Sequence, residues 1–563
     1  MKRYFISIAL VVLVSFNLTS AAGRPNIIII MSDDMGMSDI GCYGGEIPTP
    51  NLDKLGYGGI RFTQFYNSTR CCPTRVSLLM GLHPHQAGMG WMVHDRNLPG
   101  YRGDMGTNGV TIAEVLREVG YRSYCVGKWH VTSAWKSTDS QHNWPLQRGF
   151  DRYYGLVHGA VNFFDPELMV RDNTPVTAAS DVEYQPETYY LTDAISDYAV
   201  RYIKEHNAET PDKPFFMYIA YTAPHWPMQA PEETIAKFRG WYDEGYQPIR
   251  EARFKRMKEK GIIPEHAVLP PPDEDWARVV HKEWESRCME VYAAMIDHMD
   301  QGIGRIIDAL KATGQYENTV IFFLHDNGPS AEGVGRTSRE DFPTRVDQPV
   351  YPVISPETII DVGTSAVTQT RDGFPIVRGP LVMPGPGDTF IAYGRGWANV
   401  SSTPFRGYKM ATYEGGIGTP LIVHAPNWIT EAMRGKVCHA PGHLVDLMTT
   451  CVELAGATYP TEFRGNEILP MEGISLVPRF RGLPLAKREH PLAWEHQGNR
   501  ALRDGKWKIV TRGPRGDWEL YDMENDRSEM HNLANRYPER VQEMAKQWEE
   551  WAKRTNALPW PWQ

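Results

Sequence analysis

The sequence predicts an α/β protein: a large doubly wound sheet, mixed but mainly parallel and flanked by helices, followed by a small C-terminal α+β unit with an antiparallel sheet. Three observations carry that prediction. Several short runs are nearly continuous in Ile, Val, Phe and Tyr rather than alternating, the pattern of strands buried on both faces. Segments of helical period lie between them, and strands alternating with helices imply a doubly wound sheet. After residue 480 the character changes to short strand-like pieces broken by Gly and Asp turns, then one amphipathic helix.

Taken in order, the strand candidates are "NIIIIM" (26–31), "RSYCVG" (122–127), "PFFMYIAY" (214–221), "TVIFFLH" (319–325) and "PLIVHAP" (420–426), all read as buried parallel strands. "TIAEVLREVG" (111–120) and the segment 276–310 read as helices. From residue 491, "PLAWEHQGNRALRDGKWKIVTRGPRGDWELYDMEND" reads as an antiparallel meander. The helix after it places Val541, Met544, Ala545, Trp548, Trp551 and Ala552 on one face. Two stretches, 269–276 and 330–403, have neither period. Connections that long are usually functional, so they are expected to wall a pocket.

The first residues, "MKRYFISIALVVLVSFNLTSAAG", combine a basic start, an apolar run and small residues, which is the layout of a secretory signal cut near Ala21 or Ala22. The apolar run is shorter than the roughly 20 residues a spanning helix needs. Three regions follow: a signal peptide at 1–22, a large α/β domain at 23–480 and a C-terminal α+β subdomain at 481–563. The protein is expected to be exported, periplasmic or secreted, with no stable membrane anchor. A net charge of -9 without a Lys/Arg-rich block excludes nucleic acid as a partner. Seven scattered cysteines with no C-x-x-C spacing give no disulfide framework. The oligomeric state has no signal in the sequence.

In open α/β sheets ligands bind beyond the carboxyl ends of the strands. Asp33 and Asp34 follow the first run, Lys128 and His130 the second, His225 the third, Asp326 and Asn327 the fourth. Asp33, Asp34, Asp326 and Asn327 form an all-oxygen set, which suits Ca²⁺ or Mg²⁺ rather than zinc. Lys128, His130, His225 and Lys409 bring cations to the same edge, and a metal ringed by cations implies an anion between them. The stretch "STRCCPTRVSLLMG" (68–81) adds a helix start: Pro73 suits its first position, which leaves Cys71 and Cys72 at an N-terminus that favours anions and lowers a thiol pKa.

Cys71, Pro73 and Arg75 fit C-x-P-x-R, and with "VSLLMG" after it the segment resembles the signature of type I sulfatases, members of the alkaline phosphatase superfamily. Only Cys71 has Pro and Arg at the right spacing, so Cys72 is the variable residue. "PNIIIIMSDDMGMSDIGCYGG", "GYRSYCVGKWH", "TAPHWP", "HDNGPS", "TYEGGIGTPLIV" and "WELYDMENDRSEMHNL" look like sulfatase blocks in the family's order. "GWANVSSTPFRGYK" and "HGAVNFFDPE" look closest to the bacterial arylsulfatase branch.

The resemblance implies an alkaline phosphatase-like fold and a sulfuric ester hydrolase. A maturation enzyme would convert Cys71 to formylglycine, whose gem-diol attacks sulfur and leaves the enzyme covalently sulfated. Asp33, Asp34, Asp326 and Asn327 would hold one Ca²⁺. Arg75 would hold the formylglycine hydrate, Lys128 and Lys409 would clamp the sulfate oxygens, His225 would protonate the leaving oxygen, and His130 would take a proton from the second hydroxyl.

Trp91, His94, Arg96, His158, Trp397, Asn399, Glu495 and His496 fall in segments expected to border the pocket, where aromatic and polar side chains suit a sulfated sugar or an aryl sulfate. Two alternatives stay open from the sequence: a phosphonate monoester or phosphodiester hydrolase of the same superfamily, and a sulfated-glycan binding protein whose Cys71 is never converted.

Overall fold

The computed structural model describes residues 23–337 and 343–562, and the predicted signal segment lies outside them. The large sheet contains β1 (Asn26–Ser32), β2 (Ile60–Tyr66), β3 (Arg122–Lys128), β4 (Arg152–Leu156), β5 (Met169–Arg171), β6 (Thr174–Val176), β7 (Phe215–Ala220), β8 (Thr319–His325), β9 (Gly418–His424), β10 (Lys436–Cys438) and β11 (Gly442–His443). Their spatial order is β10-β2-β9-β8-β1-β7-β3-β4-β5-β6, with β11 also on β2. The centre is parallel: β1 pairs with β7 and β8, and β3 with β7 and β4.

Both faces of this sheet are covered, which explains the unbroken apolar runs. In β1, Ile28 and Ile30 join one core with the helices Leu191–Glu209 and Lys282–Ala312. Ile27, Ile29 and Met31 point to the other, shared with the helices Cys71–Met80, Ile112–Arg117 and Val445–Ala455.

The run at 420–426 departs from expectation. β9 is antiparallel to both β2 and β8. That reversal has a functional consequence, because the chain entering β9, rather than the chain leaving it, lies at the edge where β1, β3, β7 and β8 end. β2, reversed again, ends at that same edge and delivers Asn67–Arg70 and the helix behind them.

The hairpin β12 (Glu462–Phe463) and β13 (Asn466–Glu467) precedes the small antiparallel sheet, β14 (Leu492–His496), β15 (Asn499–Asp504), β16 (Trp507–Thr511) and β17 (Glu519–Asp522). One face buries Ala493, Leu502, Ile509 and Leu520 under Met544, Trp548, Trp551 and Ala552 of the helix Pro538–Arg554. The other packs Trp494, Val510 and Tyr521 on Tyr66, Tyr413 and Ile417 of the large domain. No helix among the described residues is long and apolar enough to cross a membrane.

Candidate active site

The helix Cys71–Met80 starts two residues earlier than Pro73 suggests, with extended Arg70 as its cap. Pro73 is then its third residue, still within the first turn, where a backbone N–H has no helical acceptor to lose. All ten residues of the helix are buried, and Gly81 ends it at φ 66°. The sulfurs of Cys71 and Cys72 and a ring nitrogen of His130 lie within 4.8 Å of one another. A hydrogen bond from the Cys72 thiol, with Lys128 and His130 nearby, holds the Cys71 thiol well below its usual range despite burial, while burial and its neighbour push Cys72 up. The two cysteines are therefore inequivalent: the charge belongs on Cys71, and Cys72 packs its sulfur on Met92 at 3.7 Å.

Asp33, Asp34, Asp326 and Asn327 converge beyond β1 and β8, each at most 1 % exposed. Asn327 Nδ2 donates to Asp34 Oδ1 at 2.6 Å, and the Asp34 N–H to Asp326 Oδ1 at 3.3 Å. Arg75 Nη2 bonds Asp326 Oδ2 at 2.8 Å and lies 3.6 Å from Asp33, while Lys128 Nζ bonds Asp33 at 2.5 Å. Lys409 Nζ reaches Asp34 at 2.9 Å and Glu332 at 3.2 Å.

Two oxygens are left over. Asp33 Oδ1 and Asn327 Oδ1 are buried and accept no hydrogen bond. Burial, reinforced by Asp33, pushes the Asp326 carboxyl up to about 7, and burial raises Asp33 against Lys128 and Arg75. Crowded buried carboxylates with unmatched oxygens fit a hard divalent cation, which supplies the missing positive charge and takes oxygen ligands.

His225 sits beside this set: Nε2 is 3.4 Å from Asp34 and 3.3 Å from Lys409 Nζ, and Nδ1 donates to the Trp226 carbonyl at 2.6 Å. Burial pushes His225 down to about 4 and His130 to about 3, so both rings are neutral at pH 7. Asp34, Thr69, His130 and Met410 all carry positive φ, at 61°, 67°, 53° and 74°. Non-glycine residues held there cost of order 1 kcal/mol each and cluster in functional loops.

The structure thus brings together Cys71, Arg75, Lys128, His130, His225, Lys409 and the four oxygen-bearing residues. Of the pocket-border residues, His158 stands 6.1 Å from His130, ring centre to ring centre, and His496 lies within reach of the Cys71 charge. Trp91 and His94 pack together at 6.0 Å, with Arg96 over Trp91.

Three expectations need correction. Trp397 is fully buried in the helix Arg395–Ser401, donates to the Glu285 carbonyl, and packs on Tyr242, Tyr246 and Trp276, so it is core. Asn399, on the same helix, accepts from the Asp273 N–H and fixes the 269–276 loop. Glu495 is fully engaged by His85, Tyr101, Trp562 and the Gly498 N–H, which makes it a structural hub.

Glu332 is a site residue that the sequence does not announce. It bonds Lys409, Trp226 and Ser330 and is held at about 2 mainly by Lys409, against the cost of its burial. It lies five positions after Asn327 in the aperiodic stretch, where sequence pattern offers no handle.

The Sulfatase family model matches residues 25–457, and the model for N-sulphoglucosamine sulphohydrolase, C-terminal, matches 407–555. An uncharacterised sulfatase of Schizosaccharomyces pombe is 31 % identical over 95 % of this chain and 94 % of its own. An arylsulfatase of Klebsiella aerogenes is 33 % identical over 80 % and 91 %. Among solved structures, Ps i-CgsB in complex with k-i-k-neocarrahexaose aligns with a TM-score of 0.62 at 24 % identity, covering 96 % of this chain and 94 % of that one. BT4656 in complex with its substrate D-glucosamine-2-N,6-O-disulfate aligns at 0.60 and 20 %, covering 95 % and 99 %. With the family matched from β1 to beyond β11 and curated arylsulfatase relatives along most of its length, this chain belongs to the sulfatase family of the alkaline phosphatase superfamily and is a sulfuric ester hydrolase.

Proposed function

We propose that the protein is an exported sulfatase that releases sulfate from sulfated carbohydrates, using a formylglycine made from Cys71 by a maturation enzyme and one Ca²⁺ held by Asp33, Asp34, Asp326 and Asn327. One observation carries the reading. Cys71, at a buried helix N-terminus, shares a space with His130 and the Lys128 charge, while the unmatched Asp33 and Asn327 oxygens sit at the same sheet edge. The sugar ligands of Ps i-CgsB and BT4656 support a carbohydrate substrate.

Calcium bound there supplies Lewis acidity toward the sulfate oxygens. The formylglycine hydrate supplies an oxygen nucleophile with a second hydroxyl, which a thiol lacks. The remaining steps belong to side chains already in place. Lys128 and Lys409, buried and fixed by carboxylates, offset charge as it grows on the sulfate, where a dry site makes each ammonium worth more than in water. Arg75, anchored on Asp326 and the Lys128 carbonyl, is a fixed cation at the Cys71 helix. His130, neutral at pH 7, accepts a proton at the Cys71 position. His225, its Nδ1 tied to Trp226, presents Nε2 beside Lys409, and the two form a proton-donating pair on the leaving-group side.

The test is peptide mass spectrometry across Cys71 on exported protein, coupled to turnover of a sulfated sugar, an aryl sulfate and an aryl phosphonate ester on one preparation. An aldehyde at Cys71 with sulfate release is expected. A uniformly unmodified thiol without turnover would support the binding-protein alternative, and preferential phosphonate hydrolysis the superfamily alternative.

A further inference from the structure

Several donors bordering Cys71 take no part in the reaction and have no acceptor. Arg70, immediately before Cys71, is half-buried; its Nε is buried without a hydrogen bond, and its guanidinium pairs with no carboxylate among the described residues. His496 is fully buried close by. Its ring meets the Gly90 backbone, but in no geometry that makes a hydrogen bond, and the Arg70 and Cys71 charges both reach it. Trp91, next to Gly90, buries an indole N–H with no partner. Its neighbour Met92 touches Cys72, which ties this loop to the nucleophile's helix.

Arg96 completes the row. Its guanidinium carbon lies 3.7 Å from the centre of the Trp91 ring and 6.0 Å from that of Trp562, and it too has no ion-pair partner among the described residues. Trp562 comes from the far end of the chain, packs 5.7 Å from Trp91, and is fixed by a 3.0 Å bond to Glu495. Glu495, the carboxylate next to His496 in sequence, is occupied by its own four donors.

The inventory is mainly of donors: two guanidinium groups, an indole N–H and an imidazole; the neighbouring carboxylate, Asp95, is exposed and accepts the Asn97 N–H. Each buried donor left unpaired costs about 1–3 kcal/mol, so such groups rarely persist without a ligand to satisfy them. A guanidinium laid on indole faces is pre-organised to grip a planar or tetrahedral anion.

We propose that Arg70, Trp91, Arg96 and His496, with Trp562 from the C-terminal tail as a positioning residue, form a second anion subsite of the substrate cleft. It reads a second sulfate or carboxylate on the sugar that carries the scissile sulfate or on the adjoining one. The substrate class is therefore a polyanionic glycan fragment rather than a lone aryl sulfate. The inference rests on the sulfatase reading for what the cleft does, yet its test needs no turnover.

The experiment is calorimetric titration of full-length Cys71→Ala protein with three disaccharides of one backbone: monosulfated, disulfated, and monosulfated with a uronate. The disulfated ligand is expected to bind at least tenfold more tightly than the monosulfated one, and the uronate arm shows whether a carboxylate serves as well. Arg96→Ala, a change at an exposed residue, is expected to remove most of that ratio, and Arg70→Gln to do the same. Trp562→Ala is expected to reduce the ratio partway, and Trp562→Phe, which keeps an aromatic face but loses the Glu495 bond, to fall between it and the parent. Equal affinity for the ligands, equal loss for all of them in Arg96→Ala, or no binding at all overturns the proposal. Failure of the sulfatase reading looks different: no ester releases sulfate with the unsubstituted protein while the binding ratio survives.

Discussion

Two buried ion clusters lie at opposite ends of one short loop, and they differ in a way that separates binding from holding. Lys409 enters the first cluster, with Asp33, Asp34, Asp326, Arg75 and Lys128; Glu414, five residues on, enters the second, with Lys508, Glu529 and Arg527. In the second every carboxylate oxygen has a cation or a donor against it: Lys508 meets Glu414 at 3.0 Å and Glu529 Oε1 at 2.8 Å, the latter as an ion contact without hydrogen-bond geometry, Arg527 meets Glu414 at 2.9 Å, Tyr66 donates to Glu414 at 3.1 Å, and the Glu414 N–H donates to Glu529 at 2.8 Å. In the first, Asp33 Oδ1 and Asn327 Oδ1 have nothing. Charge and burial are alike in the two; unmatched acceptors mark the one built for a ligand. The matched cluster ties the small sheet to the loop carrying Lys409, helped by Asn499 on the Met410 carbonyl and Thr412 on the Arg500 carbonyl.

The largest effects are expected where acceptors or nucleophile are unmatched. Cys71→Ala should abolish sulfate release, whereas Cys72→Ala, which removes a sulfur packed on Met92, should retain it to within about tenfold. The reverse outcome in a turnover assay would reassign the register of the motif. Asp326→Ala should lose the metal, read by elemental analysis, and lower turnover by about a thousandfold or more. Stoichiometric calcium retained by that variant would show that the oxygen set is not its site.

How much of this is legible in the sequence follows from what each residue buries. β1, β3, β7 and β8 stand out because both their faces are covered, so no charged residue lies between their ends. β2 does not stand out because Arg61, Thr63 and Gln64 break its run; Arg61 is nonetheless buried, its Nη1 and Nη2 bonded to the Cys42 and Gly435 carbonyls. The direction of β9 has no local signature, since register and polarity are settled by neighbouring strands. Site residues directly after a parallel strand are readable by position. Glu332 and the nearness of Arg70 to His496 are not, because they depend on how loops remote in sequence fold over the edge. Trp397 misleads because an aromatic in an aperiodic stretch looks the same whether it lines a cleft or fills a core.

A smaller effect is expected from the matched cluster. Lys508→Met leaves Glu414 and Glu529 buried without their shared cation, and removing one partner of a buried pair costs about 3–5 kcal/mol. Denaturant unfolding should show that loss, with metal content unchanged. Adding Glu529→Gln, which removes one stranded charge, should recover part of the stability. A Lys508→Met protein that keeps its stability but loses its metal would erase the distinction between the two clusters.

The smallest effect tests a group at the opposite edge of the sheet, where β9 ends. His424 is buried, donates from Nδ1 to the Leu55 carbonyl at 3.2 Å and meets the Tyr316 hydroxyl at Nε2 at 2.8 Å, so the neutral ring has both nitrogens bonded. Burial, aided by Arg434 and Lys311, pushes it down to about 4 from 6.5. Between those values the unfolded chain binds a proton that the folded protein does not, so stability rises with pH across the window. The contribution is full above pH 6.5 and is lost as pH falls toward 4, by about 1.4 kcal/mol for each pH unit crossed. Urea unfolding of the parent and of His424→Asn between pH 4.5 and 6.5 should give a shallower slope for the variant, by up to about one proton. Equal slopes would show that the folded protein takes up that proton as readily as the unfolded chain. Turnover measured at pH 7 should follow neither slope, because nothing in the catalytic edge touches His424.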